Sequence, residues 1–474
     1  MSGVFGVYSP TRSNLASEVY YGIYALQHRG QESCGIAVND GGVISSHKDV
    51  GLVDAVFDRE VLARLGDGEI AIGHCHYSKR VTATRANAQP MTVNHIKGQM
   101  ALAMNGALIN APRLRHELEL LGSIFHSLSD SELIATTIVH ERLRNPSIEA
   151  AVSAAMYRLE GAYSLVLMSP RKLIGVRDPL GFRPLVLGER DGVHVLASES
   201  CALDAVGAAF VRDIEPGEIV VIDPGGLRSL REHVTGGRHA LCAFEYIYFA
   251  RPDSVVEGTQ VHEARKRLGA ALARSHPVDA DVVLGVPDSG IDAALGYAET
   301  SGIPYGLGFI KNKYIGRTFI RNDQREREDR VRIKLNVIES QVRGRRVIMV
   351  DDSIVRGTTV ARIVRLLRLA GAREIHVLSS APPFLNPCYF GTDIDSREDL
   401  ISVRLEPDEI ARRIGADSVG FLRHEDVNEM VAGCPLDLCK GCFSGCYPLA
   451  IPPNLDALRI RDERRFGARL SQAN

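Results

Sequence analysis

The sequence lacks any apolar run near the roughly 18 residues that a membrane-spanning helix needs. Its N-terminus has no positively charged stretch followed by an apolar one, so it predicts no signal peptide. The formal charge of -2 over 474 residues provides no basic field that would favour nucleic acid or an anionic membrane. Tandem repeats and low-complexity segments are also missing. We therefore expect a cytoplasmic globular protein that binds neither nucleic acid nor membrane.

What is present is typical of a chain with more than one domain. Apolar residues make up 45% and charged residues 24% of a sequence that is too long for one ordinary core. The part before residue 230 mixes short β-like runs with helical stretches, which favours a layered α+β domain. Examples are GEIAIGHC, QMALAMNG, GAYSLVLMSP and HVLASE for strands and SELIATTIVHERLR for a helix.

From about residue 259 the pattern changes to alternating helices and fully apolar strands. The helical stretch QVHEARKRLGAALARS precedes the apolar run VVLGV (282–286), and RRVIMVDDS repeats that type of strand. The amphipathic stretch VARIVRLLRLAGA and the strand IHVLSS follow. Strand, loop, helix and strand form a βαβ unit, so we expect a doubly wound α/β domain over roughly residues 260–400.

The strongest chemical signal is the stretch VIMVDDSIVRGTT (347–359). A buried strand brings Asp351 and Asp352 to its C-terminal end, where open α/β sheets bind ligands. The loop that follows contains Gly357 and opens a helix, whose first N–H groups and hydroxyls suit a phosphate. Both the Walker A pattern and the dinucleotide pattern G-x-G-x-x-G are missing. Two acids beside a phosphate site indicate that sugar hydroxyls or Mg²⁺ bind there as well.

This stretch resembles the signature of the phosphoribosyltransferases, and further motifs narrow the resemblance to the glutamine phosphoribosylpyrophosphate amidotransferase family. These motifs are GIYALQHRGQESCGIAV (22–38), FEYIYFARPDS (244–254), GVPDSG (285–290) and GFIKNKYIGRTFIRNDQREREDRVRIKLN (308–336). The resemblance implies an N-terminal-nucleophile, class II glutamine amidotransferase domain over 1–235. It implies a type I phosphoribosyltransferase domain over 236–474. The activity it implies is the displacement of pyrophosphate from phosphoribosylpyrophosphate by ammonia.

The resemblance also assigns residues in the second half. Ser289, Asp351 and Asp352 match Mg²⁺ positions, and the two aspartates also face the ribose hydroxyls. The segment from Lys311 to Arg332, which includes Arg317, matches a loop that closes over pyrophosphate; the same basic run is also typical of a solvated surface loop. The residues expected to hold the 5-phosphate are Ser353, Ile354, Val355, Arg356, Gly357, Thr358 and Thr359.

Nine cysteines are present, and in a reducing compartment the group near the C-terminus indicates metal binding before disulfides. The family resemblance implies a [4Fe–4S] cluster on Cys242, Cys388, Cys439 and Cys442. The spacing alone does not separate iron–sulfur from zinc, because both accept four thiolates. Cys434 and Cys446 remain as competing ligands.

In the first half the resemblance places Ser2 where the family has a cysteine nucleophile. After removal of Met1, the α-amine of Ser2 would act as the base. Asn105 and Gly106 match the oxyanion-hole pair, Asp130 the residue that binds the substrate α-amino group, and Arg29 the loop over the site. The glutamine carboxylate is held by an Arg in the family, and here GHCHY has His76 at that position. Arg80 or Arg85 are candidates to replace it.

We therefore predict an amidophosphoribosyltransferase with an intact phosphoribosyl half and an impaired glutaminase half, which uses ammonia or uses glutamine poorly. Ser2 alone could be an engineered trap, but the second departure at His76 favours a natural variant. One alternative is a paralogue that transfers phosphoribose to another amine. Another is a non-catalytic regulatory subunit that binds nucleotides. The resemblance further implies a homotetramer and feedback inhibition by purine nucleotides.

Overall fold

The computed structural model describes residues 2–77, 84–312, 335–394, 396–431 and 433–471. In the first half its strands are β1 (Ser2–Ser13), β2 (Ser33–Asp40), β3 (Val43–Val50), β4 (Gly68–His76), β5 (Met91–His95), β6 (Gly98–Leu108), β7 (Gly161–Met168), β8 (Leu173–Arg177), β9 (Val186–Arg190), β10 (Val193–Ala197), β11 (Ala209–Asp213), β12 (Ile219–Asp223) and β13 (Gly226–Leu230). The helices between them are α1 (Leu15–Ala25), α2 (Val53–Val56), α3 (Arg59–Leu65), α4 (Ala111–Leu120), α5 (Asp130–Arg142), α6 (Ile148–Met156) and α7 (Ser200–Ala205).

The second half continues with strands β14 (Leu241–Cys242), β15 (Val255–Val256), β16 (Thr259–Gln260), β17 (Val282–Gly285), β18 (Phe309–Lys311), β19 (Leu335–Val337), β20 (Arg346–Asp351), β21 (Glu374–Ser379), β22 (Ser418–Phe421) and β23 (Leu438–Cys439). Its α-helices are α8 (Val261–Ser275), α9 (Gly290–Ser301), α10 (Glu339–Val342), α11 (Thr358–Leu369), α12 (Ile401–Arg404), α13 (Pro407–Ile414), α14 (Gly441–Ser444) and α15 (Leu455–Ser471). Short 3₁₀ or π turns cover Gln27–Arg29, Glu245–Phe249, Arg397–Asp399 and Glu425–Val431.

Two antiparallel sheets stack face to face in the first half. One has the order β11-β9-β10-β1-β4-β2-β3 and the other β13-β12-β8-β7-β6-β5. Apolar side chains from both sheets, such as Val4, Ile72 and Val166, share one buried cluster between them. Helices α1, α3 and α7 cover the outer face of the first sheet, and α4, α5 and α6 cover that of the second. This four-layer α+β architecture confirms the fold predicted for this half.

A parallel sheet of order β17-β20-β21-β22 forms the second half. Helices α8 and α9 pack on one face and helices α11 and α13 on the other, so each strand is buried on both sides. The doubly wound fold is confirmed, but its range is wider than the 260–400 expected. The strand β22 lies beyond residue 400 and pairs with β21 in register from His376↔Ser418. Its four residues SVGF are too short to show a period in the sequence.

The two halves are tied together near the start of the second one. The Ala240 nitrogen donates to the Leu180 carbonyl at 2.7 Å, and the Cys242 nitrogen donates to the Phe182 carbonyl at 3.1 Å. Strand β14 also pairs in parallel with β23, within the second half. In the described part of the chain, no helix is long and apolar enough to cross a membrane.

Candidate functional site

A cavity of about 320 Å³ lies between the two halves of the chain. The first half contributes Ser2, His76, Gly106 and Asp130, which the sequence singled out. The second half closes the cavity with residues of two segments: Cys388, Tyr389, Gly391, Thr392 and Asp393 from one, and Arg459, Asp462 and Glu463 from α15. Both halves of the chain therefore form the wall of this cavity.

Ser2 and His76 meet at the edge of this cavity. The antiparallel pairing of β1 and β4 places the two residues opposite each other. The Ser2 Oγ lies 2.7 Å from Nδ1 of His76, and Ser2 itself is buried. Burial and the neighbouring His74 hold the pKa of His76 well below its usual value, so its imidazole is neutral. A neutral ring can accept a proton from the hydroxyl through Nδ1.

Asn105 and Gly106 follow on β6 beside the nucleophile position. The Asn105 Oδ1 accepts a hydrogen bond of 3.1 Å from the Ser2 nitrogen. Its Nδ2 is buried and finds no hydrogen-bond partner among the described residues. Gly106 has φ 142°, and a Cβ there would lie 2.0 Å from the Ala162 oxygen, so only glycine fits. An unpaired amide donor next to a nucleophile is what an oxyanion hole requires.

Asp130 begins helix α5 and faces the same cavity. Its Oδ2 accepts a hydrogen bond of 2.9 Å from the Leu108 nitrogen. Burial raises the pKa of Asp130, and the positive charges of Arg459 and Arg115 partly oppose that rise. Both arginines line the cavity. The sequence analysis missed them because each lies on a helix with charged neighbours and resembles an ordinary solvated residue.

The sequence offers Arg80 and Arg85 as candidates to bind the carboxylate. Arg80 lies outside the described residues, and Arg85 is exposed and is not part of the cavity wall. His76 contacts the Ser2 hydroxyl rather than standing free for a carboxylate. In the described part of the chain, the positively charged side chains that line this cavity are therefore Arg115 and Arg459.

Arg29 has a different environment from the one expected for a loop over glutamine. Its guanidinium is fully buried and forms ion pairs with Glu199 and Glu245. Arg183 binds the other oxygen of Glu245 at 3.0 Å and donates to the Phe390 carbonyl at 2.8 Å. Although burial alone would raise the pKa of Glu199, the charge of Arg29 holds it well below its usual value. This network joins the glutaminase-like sheet to the second half.

The acidic pair of the second half lies at the carboxyl end of the parallel sheet. Asp351 ends β20, and both it and Asp352 are buried. The Ser289 hydroxyl donates to Asp352 Oδ1 at 2.5 Å, so the three side chains expected at Mg²⁺ come together. Burial raises the pKa of both carboxyls, and the charge of Asp352 raises that of Asp351 further. Two buried carboxylates and a hydroxyl fit a hard divalent cation that also binds substrate phosphates.

The loop after the acids turns into helix α11. Gly357 is its N-cap with φ 75° and makes no side-chain capping bond, so the first-turn N–H groups remain available to a ligand. Thr358 and Thr359 are exposed there, whereas Ile354 is buried in the core. Ser353 donates to Asp352 at 2.6 Å, which links the loop to the acidic pair. Arg356 pairs with Asp399 at 2.9 Å.

Lys311 forms an ion pair with Asp288, and both residues line a second cavity of about 700 Å³. Arg317 and Arg332, also expected at pyrophosphate, lie outside the described residues.

Four cysteines gather where β14 and β23 pair, with Cys242 opposite Cys439. Burial raises the pKa of the Cys442 thiol well above its usual value, and the charges of Cys388, Cys242 and Cys439 raise it further. No group of three or more His, Cys, Asp or Glu residues in the described ranges is arranged around a single ion. Cys434 lies apart, beside Leu436, and Cys446 is exposed.

Comparison with known proteins matches both halves. A glutamine amidotransferase domain model matches residues 76–205, and a phosphoribosyl transferase domain model matches 258–383. The amidophosphoribosyltransferase of Methanocaldococcus jannaschii is 46% identical over 95% of this chain and 98% of its own. That of Bacillus subtilis is 44% identical over 95% of this chain and 94% of its own.

Solved structures agree with these matches over almost the whole chain. A structure described as the allosteric regulatory enzyme of purine biosynthesis aligns with TM-score 0.90 and 43% identity, over 96% of this chain and 98% of that one. The Bacillus subtilis glutamine phosphoribosylpyrophosphate amidotransferase, complexed with ADP and GMP, aligns with TM-score 0.87 and 44% identity, over 95% and 98%.

Proposed function

The chain belongs to the amidophosphoribosyltransferase family, and we propose that its second half converts phosphoribosylpyrophosphate to 5-phosphoribosylamine. The observation that carries this proposal is the buried Asp351–Asp352 pair followed by an open helix N-terminus at the carboxyl end of a parallel sheet. The bond from the anomeric carbon to pyrophosphate breaks, and ammonia forms the new C–N bond and loses a proton. Positioning and exclusion of water supply most of the rate.

Each part of this site has a stated role in the proposal. Ser289, Asp351 and Asp352 would hold Mg²⁺, which neutralises charge on the phosphates. The two carboxylates accept hydrogen bonds from the ribose hydroxyls. The loop from Ser353 to Thr359 holds the 5-phosphate through its backbone N–H groups and hydroxyls.

The first half is proposed to hydrolyse glutamine poorly. A hydroxyl at Ser2 ionises far less readily than the thiol of the family. His76 replaces an arginine that would bind the glutamine carboxylate in a bidentate manner. Asp130 remains available for the α-amino group, and Asn105 with Gly106 for the oxyanion. Free ammonia is therefore the better nitrogen source.

We further propose a [4Fe–4S] cluster on Cys242, Cys388, Cys439 and Cys442, with the structural role of binding β14 to β23. The support is that these four half-buried cysteines gather at the β14–β23 pair, where Cys242 lies opposite Cys439. Protein purified without oxygen should be brown and contain iron and acid-labile sulfide. Cys439→Ser should lose both, whereas Cys446→Ser, at an exposed position, should keep them. A colourless protein that contains zinc would refute the cluster.

Regulation by purine nucleotides and a homotetramer complete the proposal. Their support is family membership, and for the nucleotides also the ADP and GMP in the Bacillus subtilis structure.

Pyrophosphate release tests the proposed reaction. The full chain is assayed with phosphoribosylpyrophosphate and Mg²⁺, and glutamine is compared with ammonium as nitrogen source. Turnover should be faster with ammonium. Equal or faster turnover with glutamine would refute the impaired glutaminase. No turnover with either would favour the alternatives of a different amine acceptor or a regulatory subunit.

A further inference from the structure

His76 forms a hydrogen bond with Ser2, and the replacement of a carboxylate-binding arginine by histidine does not account for this contact. Nδ1 of His76 lies 2.7 Å from the Ser2 Oγ, within the range in which a general base removes a proton. The contact is fixed by strand register, because Ser2 and His76 are direct partners across β1 and β4. Both residues lie in strands, and the strand pairing sets this geometry.

We propose that His76 is the general base for Ser2, so that the two form a serine–histidine dyad for the cleavage of a carboxamide. This inference rests on the proposed function of the first half and deepens it. It assigns proton transfer to a side chain rather than to the α-amine of the first residue. Such a base would allow a hydroxyl, which is a poor nucleophile on its own, to attack an amide at this position.

The remaining parts of an acyl-transfer site surround the dyad. The buried Nδ2 of Asn105 has no partner among the described residues, while the Oδ1 of the same amide holds the Ser2 nitrogen. The amide is therefore oriented beside the nucleophile with a donor free for an oxyanion. The cavity of about 320 Å³ next to Ser2 has room for a small amide.

The protonation state of His76 agrees with this role. Burial and the neighbouring His74, whose ring centroid is 5.5 Å away, lower its pKa, so the ring is neutral and ready to accept. The other charged side chains that line the same cavity are Asp130 on α5, Arg115 on α4, Asp393, and Arg459, Asp462 and Glu463 on α15. The Ser2 hydroxyl contacts His76 directly.

The chemical step balances without a further reactant. The Ser2 oxygen forms a bond to the carbonyl carbon while its proton moves to His76 Nδ1. The C–N bond then breaks, and the proton leaves on the nitrogen as ammonia. Water attacks the resulting ester and gives a proton to Nδ1. The bond from the carbonyl carbon to the Ser2 oxygen then breaks, Nδ1 returns the proton to that oxygen, and the carboxylic acid product leaves.

Labelling with an alkyl fluorophosphonate tests the dyad without requiring glutamine to bind. A serine activated by a base attacks the phosphorus and expels fluoride, and mass spectrometry of the N-terminal peptide measures the rate. We expect labelling of Ser2 in the full-length protein and no labelling of that peptide in Ser2→Ala. His76→Gln should label at least about 10²-fold more slowly than the wild type, which is the usual loss when a general base is removed. His140→Gln is the matched control: it removes a similar hydrogen bond, of 2.8 Å between His140 Nε2 and the Ser123 hydroxyl, away from the cavity, and Ser2 should label close to the wild-type rate.

Chemical rescue separates catalysis by His76 from a structural role. Imidazole added to His76→Ala should restore labelling and glutamine hydrolysis, because the freed space adjoins the cavity. Wild-type labelling in His76→Gln, failure of imidazole to rescue His76→Ala, or no labelling of the wild-type chain would each overturn the dyad. Pyrophosphate release with ammonium does not involve His76, so a failure of the transferase proposal would be visible separately.

Discussion

At the scale of single residues, burial and the nearest partner decide which side chains carry chemistry. Asp351 and Asp352 are buried beside each other with the Ser289 hydroxyl as a close partner, a costly arrangement unless a cation or ligand compensates it. Asp281, near the opposite end of the same sheet, binds Arg346 at 2.8 Å instead. The same residue type is thus a ligand candidate in one place and a surface ion pair in the other.

Replacing Asp351 by Asn should abolish pyrophosphate release with ammonium. The amide keeps the shape of the side chain but removes the charge that would hold Mg²⁺ and the ribose. A continuous pyrophosphate assay measures the loss. Asp281→Asn is the control and should keep its activity, because its contact with Arg346 lies far from the loop. Near-normal turnover in Asp351→Asn would refute the assigned role.

Replacing Ser2 by Cys should raise kcat for glutamine hydrolysis and leave KM for glutamine unchanged. The thiol is the better nucleophile, whereas the missing arginine at position 76 affects binding of the carboxylate. Glutamate formation without phosphoribosylpyrophosphate separates the two constants. A strong fall in KM would show that His76 is not the obstacle to glutamine binding.

At the scale of elements, the loop before α11 depends on one glycine. Gly357 has φ 75°, and a Cβ there would lie 2.6 Å from Cδ1 of Ile401. The amide of Ile401 in turn donates to the Val355 carbonyl at 2.9 Å, so α12 supports the loop from behind. The loop conformation that leaves the first N–H groups of α11 available to a ligand therefore depends on the packing of α12.

Gly357→Ala should raise KM for phosphoribosylpyrophosphate several-fold, because a left-handed alanine costs about 1–2 kcal/mol and its methyl displaces Ile401. Steady-state kinetics with saturating ammonium measures this change. Gly344→Ala is the matched control, since Gly344 has φ 71° with open space around its Cβ position. The Gly344→Ala variant should be less stable but keep the wild-type KM for phosphoribosylpyrophosphate. The same KM in Gly357→Ala and Gly344→Ala would contradict the role of the loop.

At the scale of the whole molecule, buried ions join the halves. Arg29 and Arg183 meet at Glu245, which lies in the π turn Glu245–Phe249 at the start of the second half. Arg183 continues to the Phe390 carbonyl, in the segment whose next residues line the cavity. The glutaminase-like cavity is therefore complete only when both halves are folded together.

Glu245→Gln should destabilise the protein by about 3–5 kcal/mol, the usual cost of leaving buried charges without their partner. Urea unfolding followed by circular dichroism should show a lower midpoint. Glu215→Gln removes a partner of Arg231 at the exposed surface and should cost about 1 kcal/mol or less. Similar midpoints for the two variants would show that the buried network does not stabilise the assembly of the halves.

The sequence alone determined the family and both domain folds, and it predicted the phosphate loop. The loop can be predicted because its acids, glycine and hydroxyls lie within a few consecutive residues. Such a local pattern can be recognised without knowledge of the fold. The range of the parallel sheet was underestimated, because β22 has too few residues to show a pattern.

Only the tertiary structure decided the partners of the first-half site. The Ser2–His76 bond spans 74 positions, the Arg29–Glu245 pair spans 216, and Arg459 reaches the Leu108 carbonyl across 351. Strand register and the packing of one half on the other create these contacts, and neither leaves a periodic signal in the sequence. For this reason the sequence presented His76 as a missing arginine, whereas the fold makes it the hydrogen-bond partner of Ser2.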